Sequence, residues 1–323
     1  MPQLRRAWAW ATAAAGEDAR VVDHIFAVRE FMQRRGLWDE PLAWFERALA
    51  STRCLAWPLC EAQLLNFIGL RYQHRGESSA ALEHFQRALP LMERAGDPVG
   101  HASTLNNIAI GHASRGALDE ALAHSEAALA LLERPTPTIL NHLGIVHLRR
   151  GAPAEALPYL TRALALVEAS DDRASQGYIL DNIGGAYHAL GDRTEARRYI
   201  ERGLRLAVES GDRPSEAMAL NNLGGLCQDE GAWSEAACYH AGALAIAEAL
   251  ADRPFEAAVL VNLGHTWAAQ GNARAALRWY ERARPLLHAL KDESGEQHVV
   301  QVIATLVLHT GGVGAVQRYF ARE

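Results

Sequence analysis

Eight glycines punctuate the chain at an almost constant interval: Gly36, Gly76, Gly116, Gly151, Gly191, Gly231, Gly271 and Gly311, six of the seven spacings being 40 residues and the one from Gly116 to Gly151 being 35. A period of that length marks a stack of supersecondary units, each hiding its apolar face against the next copy rather than closing a core of its own. Other positions keep the same register. Five residues after each glycine stand Pro41, Ala81, Ala121, Ala156, Ala196, Ala236, Ala276 and Val316; twelve after stand Ala48, Ala88, Ala128, Ala163, Gly203, Ala243 and Ala283. Small residues recurring at fixed places are the mark of close helix packing. Eight after the glycine an aromatic ring or imidazole recurs: Trp44, His84, His124, Tyr159, Tyr199, Tyr239, Trp279 and Tyr319.

Each unit reads as two helices. Helix A closes at the glycine, which is free to take the left-handed conformation, and helix B begins a few residues later. Asp97-Pro98, Asp172-Arg173, Asp212-Arg213-Pro214, Asp252-Arg253-Pro254 and Asp292-Glu293 punctuate the return from helix B to the next helix A. There Asp caps the new helix and Pro is tolerated in a first turn whose N–H groups have no intrahelical partner. The 35-residue interval is read as a connector shortened to Glu133-Arg134-Pro135-Thr136-Pro137, with no helix lost.

Paired helices with this Gly, Ala, aromatic, Ala rhythm resemble the tetratricopeptide repeat (TPR) over residues 21–323. The 40-residue period is similar to the longer-helix subclass of Pins-type spindle-orientation proteins, kinesin light chains and Rap-type quorum-sensing regulators, and to the repeat arrays of bacterial STAND ATPases. The resemblance implies an all-α, right-handed TPR α-solenoid of about eight helix-turn-helix repeats, preceded by an N-terminal helix over residues 1–20. The first repeat departs most, with Arg29 and Pro41 where later units have small residues. The opening run of Arg, Trp and Ala continues straight into helical periodicity, so it reads as an amphipathic helix rather than a leader.

Within helix A the residues 11, 8, 7 and 4 before the glycine share one sector and are apolar or small, for example Leu220, Leu223, Gly224 and Cys227. Asparagines stand instead at position −10 (Asn66, Asn106, Asn141, Asn221) and position −9 (Asn107, Asn182, Asn222, Asn262). Helical geometry turns these roughly 110° and 150° away from the packed sector. They are expected on the concave wall that helix A lines in TPR arrays, with Gln228, His188 and His265 beside them. Side-chain amides donate and accept together, which suits a peptide backbone; the competing reading is that they bond to neighbouring helices and adjust stacking. On the binding reading, changing Asn107, Asn182, Asn222 and Asn262 to Ala abolishes partner binding and leaves stability nearly unchanged. Charge on this stripe is sparse: Arg34 and Arg149 against Asp23, Glu30, Asp181 and Asp229. A clamp for acidic tails needs several converging cations, so the expected partner is a relatively uncharged peptide or protein segment. Gly185 and Gly225 would let it approach the backbone.

Other chemistry is not signalled. The net charge is −6 and Lys291 is the only lysine, so nothing draws nucleic acid or anionic lipid. No apolar run nears the roughly 20 residues of a membrane span. Cys54, Cys60, Cys227 and Cys238 form no CxxC pair, and His142 and His147 are five apart and diverge on a helix, so neither a metal site nor a disulfide framework is predicted. Gly311 to Gln317 lacks the ending of a P-loop. No catalytic residue and no cofactor is expected, and the cysteine usage suits a cytoplasmic protein. The stretch from Gln3 to Ala50 resembles the segment that opens the arrays of STAND regulators. That likeness implies a sensor array working with a STAND ATPase or effector in cis or in trans; a free-standing adaptor joining two proteins is the alternative. A Rap-type regulator is disfavoured because its helical bundle has no counterpart before Val21.

Overall fold

The structure, a computed structural model, describes residues 2–13, 18–34, 42–170, 172–290 and 292–311. Among these residues sixteen helices follow one another with no strand: α1 (Pro2–Ala11), α2 (Asp18–Arg34), α3 (Leu42–Cys54), α4 (Pro58–His74), α5 (Ser78–Ala95), α6 (Pro98–Ser114), α7 (Leu118–Ala130), α8 (Pro137–Arg149), α9 (Pro153–Ala169), α10 (Arg173–Ala189), α11 (Arg193–Ser210), α12 (Arg213–Asp229), α13 (Trp233–Leu250), α14 (Arg253–Ala269), α15 (Ala273–Ala289) and α16 (Glu293–Gly311). The chain divides into two compact units, 1–159 and 160–323, each a stack of antiparallel helix pairs. Helices α4, α6, α8, α10, α12, α14 and α16 are the A helices.

The turn glycines do what their spacing predicts. Gly76, Gly116, Gly151, Gly191, Gly231 and Gly271 all have φ between 73° and 83°, a region costly for any residue with a Cβ. In the turn after α6, Gly116 N–H donates to Ala113 O and Ala117 N–H to His112 O, both at 3.0 Å, so carbonyls that the helix end would orphan are satisfied. Gly311 is the last residue of α16. Gly36, Pro41, Val316 and Tyr319, and the side chains of Arg29, Glu30 and Arg34, lie outside the described residues. The aspartates cap as expected: the carboxylates of Asp97, Asp172, Asp212, Asp252 and Asp292 accept from the backbone N–H three residues on, at 2.9 to 3.3 Å.

Returns from B to A also use the left-handed region, through Gly96 and Gly211 but also through Ala251 (φ 54°) and Ala56 (φ 53°). Both alanines carry a Cβ against the carbonyl oxygen for no visible gain. Ala251→Gly and Ala56→Gly are each expected to raise stability by about 0.5–1 kcal/mol, measured as a shift in urea midpoint at constant slope.

Inside four of the hairpins a large residue nine after the turn glycine sits against a glycine seven before it. A Cβ added at Gly69 would overlap the Phe85 ring and one at Gly184 would overlap Ile200; added at Gly224 or Gly264 it would lie 2.5 Å from His240 or Tyr280. The third hairpin instead has two small residues, Ala109 and Ser125, at the two places, both fully buried, so its helices meet there without a knob. Nearer the turn, the residue four before the glycine stacks on the ring eight after it. His112 on His124, His147 on Tyr159, and Tyr187 on Tyr199 all have centroids 5.4 Å apart and planes within 15°. The aromatic rhythm is thus a clasp at these three turns.

The short interval needs a correction. No helix is missing, but the deletion falls on the helices: α7 and α8 have 13 residues each, against 17 or 18 in α4, α5 and α6. The connector, residues 131–136, is longer than the other B-to-A returns. Pro135 and Pro137 flank Thr136, whose hydroxyl accepts from Ile139 N–H at 3.4 Å. A residue before proline is pushed out of the helical region, so the two prolines hold six residues out of helix and α7 and α8 each lose a turn.

Candidate functional site

Successive A helices lie side by side, and the paired polar positions fall on the flank where they meet. The bonding follows a rule: position −10 of one A helix pairs with position −9 of the next. In the first unit the Asn106 amide meets His142 Nδ1 at 2.8 Å. In the second, Asn222 Nδ2 donates to Asp181 Oδ2 at 2.8 Å, and Asn262 Nδ2 donates to Asn221 Oδ1 at 2.9 Å. Asn66 departs by one helical turn, its Nδ2 donating to Thr104 Oγ1 at 2.7 Å. Lower on the same face Gln228 Nε2 donates to Thr266 Oγ1 at 2.6 Å and to the Asn262 carbonyl at 3.0 Å. His188 Nε2 meets Asp229 Oδ2 at 2.7 Å, and His265 Nε2 meets His298 Nε2 at 3.3 Å. Asn182 bonds to the Tyr178 hydroxyl one turn earlier.

This placement corrects the expectation that the asparagines all stand clear of the core. Asn106 and Asn141 are 4% and 5% exposed; for Asn106 the cover comes from the neighbouring A helix through His142, which a wheel drawn for one helix omits. The fourfold alanine variant is likewise no silent probe of binding. Two of its positions, Asn222 and Asn262, hold inter-helix bonds, and loss of each is expected to cost about 1 kcal/mol. Asn262→Ala tests this directly: urea unfolding should show that loss, and a cycle with Asn221→Ala should give a coupling of about 0.5–1.5 kcal/mol. Among the described residues the Asn107 amide makes no hydrogen bond and is half-exposed.

Residues that single-helix reasoning passed over are the other halves of the rungs: Thr104, His142, Asp181, Thr266 and His298. Their signal was weak, since His142 and Asp181 occupy ladder positions without being Asn and Thr104, Thr266 and His298 stand outside the two ladder positions altogether. Burial sets their chemistry. It pushes the His142 imidazole down to about 4, and it raises the Asp181 carboxyl to about 7 against the counteracting bond from Asn222. His240, the knob under Gly224, is also lowered to about 4 by burial, with His265 adding to the effect; its Nδ1 lies 3.1 Å from Asn221 Oδ1, tying the hairpin interior to the ladder. Among the described residues no three His, Cys, Asp or Glu side chains converge as a metal would need, and no helix is long and apolar enough to cross a membrane.

Helical hairpins stacked through a polar ladder, with a glycine turn in each, define an α-solenoid of repeat units. The tetratricopeptide repeat model matches residues 60–134, 135–209, 178–249 and 215–287, and the chain belongs to that family. No curated protein sequence matches it. Among solved structures it is similar to a signal transduction ATPase with numerous domains (STAND) carrying a tetratricopeptide repeat sensor, from Pyrococcus horikoshii, at 15% identity and TM-score 0.67, covering 95% of this chain and 46% of that one. It is also similar to aspartyl phosphate phosphatase F from Bacillus subtilis, at 15% identity and TM-score 0.62 over 95% and 80% of the two chains. The apo form of RapI matches at 15% identity and TM-score 0.60 over 81% and 95%. At these identities the likeness is one of fold.

Proposed function

We propose that this chain is a non-catalytic sensor array that binds a relatively uncharged peptide or protein segment along the inner face of its A helices, within a cytoplasmic STAND-like signalling system. Tetratricopeptide repeats generally bind peptides or proteins, and the fold of the STAND sensor covers nearly the whole chain. The observation that carries the reading is the ladder itself. Asn222 and Asn262 each give one amide hydrogen to the preceding helix and are only partly buried, so each keeps a carbonyl oxygen and a second hydrogen for a ligand. Asn107 offers its whole amide. A ligand that draws on these groups competes with the rungs, and a small change at each repeat interface adds along a solenoid. Recognition is thereby coupled to stacking.

The test is a photo-crosslinking residue placed at Asn107, on the inner face, and separately at Arg205, an exposed position of α11. Illuminated in extract of the source cells, the Asn107 probe is expected to give a discrete peptide or protein adduct that the Arg205 probe does not. Adducts at Arg205 alone, or the same adducts at both, would move recognition off the inner face.

A further inference from the structure

Two adjacent A helices of the second unit lack a side chain where their counterparts carry one. Six residues before the turn glycine the series reads Leu70, Ile110, Ile145, Gly185, Gly225 and His265. A Cβ at Gly185 would meet nothing within 4 Å, and one at Gly225 would meet only His188 Cε1, at 3.9 Å. Open space therefore lies over both glycines, a recess relative to the units that carry Leu70, Ile110 or Ile145 there, and the His188–Asp229 pair links α10 and α12 beside it. One turn before Gly185, on the same stripe, stands Asp181. It is 4% exposed; one carboxyl oxygen accepts from Asn222, and the other, Oδ1, has no hydrogen-bond partner.

The other observed rungs put a neutral amide at this position, in Asn106 and Asn221. A buried acid with a bare oxygen is a costly replacement. The groups facing it are the Tyr178 phenol on its own helix, the Asn222 amide on α12 and the Gly203 segment of α11. None is a cation, and burial alone holds the carboxyl partly protonated at neutral pH. What the position lacks is a charged donor, and the nearest open space on its stripe is the recess one turn along, over Gly185.

We propose that the recess over Gly185 and Gly225 is a subsite for an ammonium or guanidinium group, anchored by Asp181 with Asp229 at its rim. This deepens the reading above, giving the mostly uncharged segment one cationic group; it rests on that reading only for the polymer to which the group belongs. As the cation seats, an N–H of the head group donates to Oδ1 and the carboxyl proton leaves to solvent, so the neutral acid becomes one half of an ion pair. Burial of that pair supplies specificity against uncharged side chains.

The head group alone suffices for a test. L-arginine amide and L-lysine amide are titrated into the isotope-labelled full chain at pH 7.5, following the backbone amides of Gly185 and Gly225, with N-acetylleucinamide as the uncharged control. Saturable shifts are expected with a cationic amide and none with the control, weakened at least about tenfold in Asp181→Asn and abolished in Gly185→Leu. Asp181→Asn keeps the ladder amide of the other rungs, and unchanged spectra elsewhere verify its fold. Absence of saturable shifts up to the order of tens of millimolar, or equal shifts in Asp181→Asn, would overturn the subsite. The two proposals fail separately. Cation binding with no Asn107 adduct removes the peptide reading and leaves the recess, whereas an adduct with no cation binding does the reverse.

Discussion

Gly184→Ala is expected to lower stability by about 2–3 kcal/mol, while Gly185→Ala, one residue along, raises it by about 0.5–1 kcal/mol. The added methyl at 184 overlaps the Ile200 side chain and lies 3.2 Å from the Ala196 carbonyl, whereas at 185 it finds open space. Both glycines sit inside α10, so both substitutions gain the same helix propensity; the opposite signs arise from packing alone. The pair Gly224 and Gly225 repeats the test on α12, with the His240 ring as the obstacle at 224. Urea unfolding of the four single variants checks it, and two changes of the same sign within a pair would refute the knob-and-glycine account. Pairing Gly224→Ala with His240→Ser should recover part of the loss, since Ala109 and Ser125 already stand in that arrangement in the third hairpin.

The second large effect is in pH dependence. Asp181 titrates near 7 in the folded chain against 3.8 in the unfolded one, so the folded state binds the proton more tightly. Its contribution is fully present below about pH 4 and is lost as pH rises through 7, by about 4 kcal/mol in all. His240 runs the other way. With its folded value near 4 and its ordinary value at 6.5, it costs nothing above pH 6.5 and about 3 kcal/mol once pH has fallen to 4. The wild-type second unit therefore shows two opposed slopes between pH 4 and 6.5. Asp181→Asn should remove the loss toward pH 8 and uncover acid sensitivity, whereas His240→Phe, which borrows the knob of the Gly69 hairpin, should remove the acid limb. In the first unit His142 gives an acid limb of its own. Chemical denaturation at pH 4, 5.5, 7 and 8 reads all of these, and an Asp181→Asn curve parallel to wild type would show that the carboxyl is not buried as described.

The hairpins were legible because their signals are local. A left-handed turn demands glycine, a helix start demands a capping oxygen, and both are visible within four residues of chain. The aromatic at position +8 is visible as a recurrence, but its stacking partner at −4 is not, because that position varies among His, Tyr, Cys and Trp. The ladder was legible only by half. Asn106 and Asn107 stand out as a doublet on one helix, but the rungs join residues 36 to 41 apart on different helices, in a register that a single-helix wheel does not contain. For the same reason Asp181 looked like an ordinary inner-face acid. Its burial depends on α12, and nothing within α10 announces it. The short repeat misled in a related way: counting residues locates a deletion in the sequence, but prolines decide whether helix or connector absorbs it.

A rung that joins −10 of one helix to −9 of the next has two unlike halves, so the seam between repeats is directional. Duplication of a repeat that carries both halves, as the one with Asn221 and Asn222 does, regenerates a complete seam on each side, whereas a copy of the units with Phe67 or Val261 at these positions does not. A module grafted in from elsewhere must bring both halves in that order, or leave an amide facing a methyl across the joint. Length is therefore the easy variable for such an array and orientation the forbidden one; the chain can grow by copying itself without any new interface having to be invented.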